Sequence, residues 1–489
     1  MNEWGIILYF LLFGTLMFVA KVLKTWIPGL NKIVIPTALL AGILGLIISM
    51  ILTPLLPASL WNESNRFFFS TYVGESDAII PYNSVYNIDL LQSIVYHGLA
   101  IGFLALALKR DYGDQKKAKK KIWSTGMLIT STYALQAVLG MFLVFVLFNL
   151  NSQGNPNFIG SGMLVALGFG QGPGLASSIG KMWNDALGGG TTGITLGAAY
   201  ATMGFLFGGI IGVLAINFIA KKRGFSKPVQ YDEPGFAKRT VEIDTVKQIS
   251  VLDGLTTSAI MISIIYGLTW LTLVLFQWLF GFLGSAGDMA FGILKGFNFI
   301  VAILYALLYN KILKAMEKRG MQVRFLTNNY MLSNIASTAF NIMIIAGVMM
   351  ITMEFLVTYG VQLIVTSLVA GFGTLVYLYL MTRKVYVMHK DEYFVGLFGM
   401  LTGVASTGLA LLKGVDPELE TPVAEELVLG SGTAITMALP LFAILFIPTF
   451  TMNSANPVLW TWIAFIGASL YVGVMVVILL VRGRRKVNV

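Results

Sequence analysis

Apolar runs of bilayer length recur along the whole chain, separated by short polar segments that carry the charges. Taken in order they predict spans at about 5–20, 33–52, 90–108, 123–148 and 194–219. After a charged linker at about 221–256, spans follow at about 257–280, 289–313, 333–351, 360–381, 424–447 and 459–481. Pro36 falls near the first turn of the second span, where proline is tolerated, and Pro440 lies inside the span at about 424–447. Two further apolar stretches, at about 158–183 and 392–412, are interrupted by glycines and fit no simple span.

Those two stretches match each other. Residues 168–178 read G-F-G-Q-G-P-G-L-A-S-S, and residues 397–407 read L-F-G-M-L-T-G-V-A-S-T. At an offset of 229 positions Phe169 meets Phe398, Gly170 meets Gly399 and Gly174 meets Gly403. Ala176 then meets Ala405 and Ser177 meets Ser406. An echo at nearly half the length of 489 residues is what a duplicated and fused half-protein leaves behind.

Charge sets the expected threading. With the loop after the first span in the cytoplasm, and each glycine-rich stretch entering and leaving on one side, 30 of the 33 Lys and Arg fall on the cytoplasmic side. Only Arg66, Lys181 and Lys295 are left over. Threading either stretch as a full span divides the bases between both sides. The two stretches are therefore expected to be re-entrant hairpins, the first dipping in from outside and the second from inside. The predicted fold is an all-α polytopic membrane protein of about eleven spans. Its halves, 1–220 and 257–450, are inverted repeats of five spans and a hairpin each, joined by the cytoplasmic linker 221–256. Residues 451–489 add one span and a basic tail. The N-terminus is expected outside and the C-terminus in the cytoplasm.

Composition agrees and narrows the chemistry. Charged residues are 11% of the chain, against roughly 25% in a soluble domain. The first apolar run begins at once behind Glu3, with no basic residue before it and no small-residue cleavage site after it, so it is expected to stay as a span. The net charge of +10 sits in loops and reads as topology, with no nucleic-acid patch. The absence of cysteine excludes disulfides, thiolate metal sites and a cysteine nucleophile, and two histidines cannot form a cluster. No grouping of nucleophile, base or metal ligands suggests an enzyme.

The hairpins carry the candidate chemistry. Glycine permits the backbone angles of a tip and lets a ligand touch main chain. Gly168, Gly170, Gly172 and Gly174 alternate around Gln171 and Pro173, a poor helix and a good tip. The segment resuming after the tip presents a helix N-terminus, which favours an anionic group. Substrate contacts are accordingly expected from Gly170, Gln171, Gly172, Gly174 and Ser177 on one side and Thr402, Gly403 and Ser406 on the other. Hydroxyls of Ser177, Ser178, Ser406 and Thr407, with hairpin carbonyls, are the expected ligands for a sodium ion. The alternative use of each hydroxyl is a bond to its own helix backbone. Gly204, Gly208 and Gly212 form a ridge that admits a closely packed neighbour. His97 reads first as a packing histidine, and Lys295 as a side chain reaching the outer surface. Asn334, Ser337, Thr338 and Asn341 share helical spacing and can bind helices together or line a cavity. Lys181 and Lys413, just after the hairpins, read as loop charges that could also attract an anion.

With these motifs the chain resembles the bacterial sodium/glutamate symporter family over almost its whole length. The likeness rests on the length, the inverted halves, the two hairpin sequences and L-L-K-G-V-D-P at 411–417. It implies sodium-coupled import of glutamate or a similar small carboxylate across a bacterial inner membrane. It further implies a homodimer, a mobile transport domain carrying both hairpins, a dimerising scaffold and elevator-type movement. The first tip, with Gln171 and Pro173, departs from the glycine-and-histidine tip of better-known glutamate carriers, so other carboxylates stay in view. The same architecture with another organic anion or with proton coupling is the near alternative, and a channel the more distant one.

Overall fold

The computed structural model describes residues 5–27, 36–55, 85–109, 119–149, 159–184, 192–222, 254–282, 298–323, 326–416, 421–451 and 456–484, with a few isolated positions between them. The acidic loop holding Glu63, Glu75 and Asp77, and the linker 221–256 apart from its ends, lie outside this set. The described residues form helices and no strand. In chain order these are α1 (Gly5–Trp26), α2 (Thr37–Leu55), α3 (Ile88–Leu108), α4 (Lys119–Val144), α5 (Leu164–Lys181), α6 (Thr192–Lys222) and α7 (Gly254–Gly281). Then come α8 (Asn298–Lys318), α9 (Asn329–Met349), α10 (Met353–Val385), α11 (Lys390–Leu401), α12 (Ala405–Leu412), α13 (Val423–Thr451) and α14 (Pro457–Arg484). Among the described residues nine helices are long and apolar enough to cross a membrane, and two shorter apolar segments, Thr37–Leu52 and Thr436–Pro448, lie in α2 and α13. The chain is an all-α, multi-pass membrane protein.

Several helices overrun the apolar stretches that announced them. α1 continues through Lys21 and Lys24, α4 begins within the lysine run at Lys119, and α10 extends through Arg383 and Lys384. Hydropathy marks the hydrocarbon layer, whereas the backbone ladder continues until a cap or break stops it. Where polar side chains begin helices, they do so by capping. Asn87 accepts from the Leu90 amide at α3, Asn328 from the Met331 amide at α9, and Thr352 from the Phe355 amide at α10. α3 and α9 are each 21 residues long and each has an asparagine cap. An offset of 229 carries α6 onto 421–451, where α13 occupies 423–451.

Packing sorts the helices into two groups. α3, α7, α8 and α9 share a core of Leu104, Leu108, Ile262, Ile265, Ala302 and Leu332, among others. α2 lies on α9 and α1 on α2. α4, α5, α6 and α10–α14 form the second group, with α4 against both α13 and α14. The groups meet where α5 and α6 press on α3 and α9. There a Cβ on Gly174 would lie 2.6 Å from Met343 Sδ and 3.0 Å from Leu99 Cβ, and one on Gly347 3.5 Å from Pro173.

Candidate functional site

Two helices break inside the second group, and the breaks touch. α5 is helical through Gly168 and Gly170, although the alternating glycines read as poor helix. Only Gly172 leaves helical geometry, with φ 80° and ψ −179°. Glycine alone adopts that backbone without strain, and Pro173 disfavours the helical conformation for the residue before it. The other glycines make room for neighbours. Gly168 faces Tyr200 and Ala201 of α6, and Gly170 faces the Tyr133 ring of α4. The second break is wider, since α11 stops at Leu401 and α12 begins at Ala405. A Cβ on Gly172 would sit 3.3 Å from Val404 Cγ1.

The arms around each break are anchored at opposite ends of α10. Ahead of α5, Ser161 Oγ accepts from Gln362 Nε2 at 3.1 Å. Beyond α5, the Leu187 carbonyl accepts from Tyr359 Oη at 2.9 Å. Both anchors lie near the start of α10, so the chain approaches and leaves the Gly172 break at one end. At the other end Arg383 pairs with Asp391 at 3.0 Å, and Tyr386 stacks on Tyr393 with ring centroids 3.6 Å apart. α11 and α12 pack antiparallel: a Cβ on Gly408 would lie 2.5 Å from the Gly396 carbonyl and 2.9 Å from Met400 Cβ. The α6 glycine ridge receives this pair. Cβ atoms on Gly204 and Gly208 would lie 2.7 and 2.5 Å from the Thr402 carbonyl and Oγ1, and one on Gly212 2.5 Å from Leu411.

No charged side chain occurs in 164–180 or 394–412, so the field at the breaks comes from backbone. The second arm of α5 and the whole of α12 begin there, and Val404 provides α12 with no side-chain cap. The positive dipole ends of both, and the amides that open α12, favour an anion. The arms that end at the breaks offer carbonyls, and α4 holds one from each. Tyr133 Oη donates to the Gly170 carbonyl at 3.1 Å, and Gln136 Nε2 to the Leu401 carbonyl at 2.8 Å.

The expected site residues divide into several fates. Gly170, Gly172, Gly174 and Gly403 are buried at the breaks, with Gln171 half-buried beside Gly172. Ser177 Oγ and Thr407 Oγ1 are buried with no hydrogen-bond partner. Ser178 is also buried. Thr402 is buried and turns its hydroxyl back to the Phe398 carbonyl at 2.7 Å, the local use open to any helical threonine. The Ser406 side chain lies outside the described set. Compared with known proteins, the chain matches no family model, no curated protein and no solved structure.

Other candidates lie away from the breaks. His97 Nδ1 is 2.7 Å from Tyr266 Oη, which accepts from Asn298 Nδ2 at 3.1 Å, tying α3, α7 and α8 together. Lys295 is exposed, and its carbonyl accepts from Tyr96 Oη at 2.7 Å. Asn334, Ser337 and Thr338 are exposed, Asn341 is half-buried, Lys181 is exposed and Lys413 half-buried. Sequence reading passed over Tyr133 and Gln136. Their signal was present: they stand one helical turn apart in a polar patch, T-S-T-Y-A-L-Q at 130–136, at the centre of an apolar span.

Proposed function

We propose that this protein is a secondary active transporter that couples sodium to the symport of glutamate or a similar small carboxylate, by alternating access of elevator type. The carrying observation is the pair of touching helix breaks with two buried, unpartnered hydroxyls beside them. An unpartnered hydroxyl in a dry interior is costly, and a hard cation that takes oxygen ligands removes the cost. The helix N-termini at the same breaks, that of α12 without a side-chain cap, complement a carboxylate, so cation and anion bind as neighbours and neutralise each other. In this reading α5 with its flanks and the α11–α12 pair are re-entrant hairpins from opposite membrane faces, belonging to inverted halves. The distribution of bases supports an N-terminus outside and a C-terminus in the cytoplasm, and the family resemblance a bacterial inner membrane.

The two packing groups support an elevator. The hairpins lie in one group, and they meet the other through Gly, Pro, Leu and Met surfaces, which slide more readily than a hydrogen-bonded seam. The family resemblance adds a homodimer built on the scaffold group. The test is uptake into proteoliposomes of glutamate, aspartate, citrate and malate, with and without an inward sodium gradient. Concentrative, sodium-dependent uptake of at least one is expected. Uptake of none with sodium, or uptake driven equally by a pH gradient in its absence, would overturn the reading.

A further inference from the structure

We infer that Gln136 supplies an oxygen ligand to the coupling cation at the second break, an assignment that rests on the sodium-coupled reading above. Gln136 sits near the middle of α4 and is 0% exposed. Its Nε2 donates to the Leu401 carbonyl at 2.8 Å and to Thr374 Oγ1 at 2.9 Å. A side-chain amide has two N–H donors, and both are engaged. Turning the amide over would set Oε1 against a carbonyl oxygen, so the orientation is fixed. Oε1 is left buried with no partner.

A fixed, unpartnered acceptor therefore lies beside the last carbonyl of α11, the negative end of that helix. Two residues on, the bare backbone of Gly403 lets further oxygens approach closely. A Cβ there would lie 3.0 Å from Thr407 Oγ1, also unpartnered, 3.2 Å from the Gly399 carbonyl and 3.1 Å from Phe205 Cδ1, which closes the apolar side. Amide, hydroxyl and peptide oxygens with no formal charge suit a small hard monovalent cation. A neutral amide has no titratable proton, so Gln136 serves a metal cation and does nothing for a proton. A cation held by Gln136 links α4 directly to the tip of the second broken helix, so ion binding and tip position become one event.

The test compares wild-type protein, Gln136→Leu and Thr374→Val for sodium activation of uptake in proteoliposomes and for sodium-dependent thermal stability against choline. Gln136→Leu is expected to raise the half-activating sodium concentration roughly tenfold or more, the size of losing one ligand to a charge. Its stabilisation by sodium shrinks correspondingly. Thr374→Val, which removes one anchor of the amide and leaves Oε1 in place, shifts it less. Equal shifts in both variants, or none in Gln136→Leu, would overturn the assignment while leaving sodium coupling intact. Wild-type uptake indifferent to sodium would remove the underlying reading and this inference with it. Should Gln136→Leu not fold, Gln136→Glu decides: protons then compete with sodium, and activation becomes dependent on pH between about 5 and 8. A sodium activation that ignores pH in that variant would overturn the proposal.

Discussion

The two helix breaks solve one problem by different means. In α5 a single glycine with positive φ, followed by proline, redirects the chain within one residue. Between α11 and α12 the chain takes three residues, Thr402, Gly403 and Val404, and positive-φ glycine is not used. The first break is thereby defined by covalent preference, the second by its surroundings: Gln136 on one carbonyl, the α6 ridge on one flank, and Thr407 across the gap. Among the described side chains at the breaks, Ser177 Oγ and Thr407 Oγ1 are left unpartnered, and the 229-residue offset aligns Thr407 with Ser178. The two breaks are therefore built differently, and on the proposed mechanism we expect the first to be rigid and the second adjustable.

The sharpest way to break this comparison is Gly172→Ala. The backbone there costs an L-residue roughly 1–3 kcal/mol, and the added methyl meets Val404, so uptake is expected to fall at least tenfold. Gly403→Ala has no positive φ to oppose it and meets the Thr407 hydroxyl, Phe205 Cδ1 and the Gly399 carbonyl at 3.0–3.2 Å, contacts that shifts of a few tenths of an ångström relieve, so it is expected to retain uptake and lose sodium affinity. Similar losses in both would erase the distinction between a rigid and an adjustable break. Next in size is the α6 ridge. Gly204→Ala meets the Thr402 carbonyl, which is backbone, whereas Gly212→Ala meets the end of the Leu411 side chain, which can turn aside. The first is expected to lower melting temperature and transport, and the second to do so weakly. A larger effect at Gly212 would mean that the ridge does not position the second break.

Ser177→Ala and Thr407→Val should have opposite signs in two assays. Removing a buried, unpartnered hydroxyl relieves up to about 1–3 kcal/mol of desolvation, so stability in choline should hold or rise. Sodium activation of uptake should weaken in both. A fall in stability without any change in sodium activation would make the hydroxyls structural. The smallest effect is expected from Tyr133→Phe, which gives up one hydrogen bond to the Gly170 carbonyl, about 0.5–1.5 kcal/mol. Because glycine and proline already fix that break, uptake should change by less than tenfold. A loss as large as that of Gly172→Ala would show that the first break depends on its surroundings as much as the second.

How far the sequence could be read follows from the range of each signal. Period, length and charge belong to a single segment, so the helices and the place of both glycine-rich breaks were legible. Gly204, Gly208 and Gly212 announced a close neighbour, but not that the neighbour would be Thr402 and Leu411, about two hundred residues away. Gln136, Thr374 and Leu401 form one cluster only after folding, since a lone polar residue in an apolar span does not reveal what it faces. Within the expected span at about 289–313 the described helix Asn298–Lys318 runs past 313 through Lys314 and Lys318. Lysines there extend the helix beyond the hydrocarbon, where hydropathy has no voice.

The central claim is that the two breaks face a shared site opened to each side of the membrane in turn. Single cysteines at Gln171 and Val404, both half-buried at the breaks of a naturally cysteine-free chain, test it by labelling with membrane-impermeant reagents from either side. Each is expected to react from both sides, with sodium and substrate together changing the balance. Reaction of each cysteine strictly from one side, unaffected by either ligand, would contradict alternating access at these breaks.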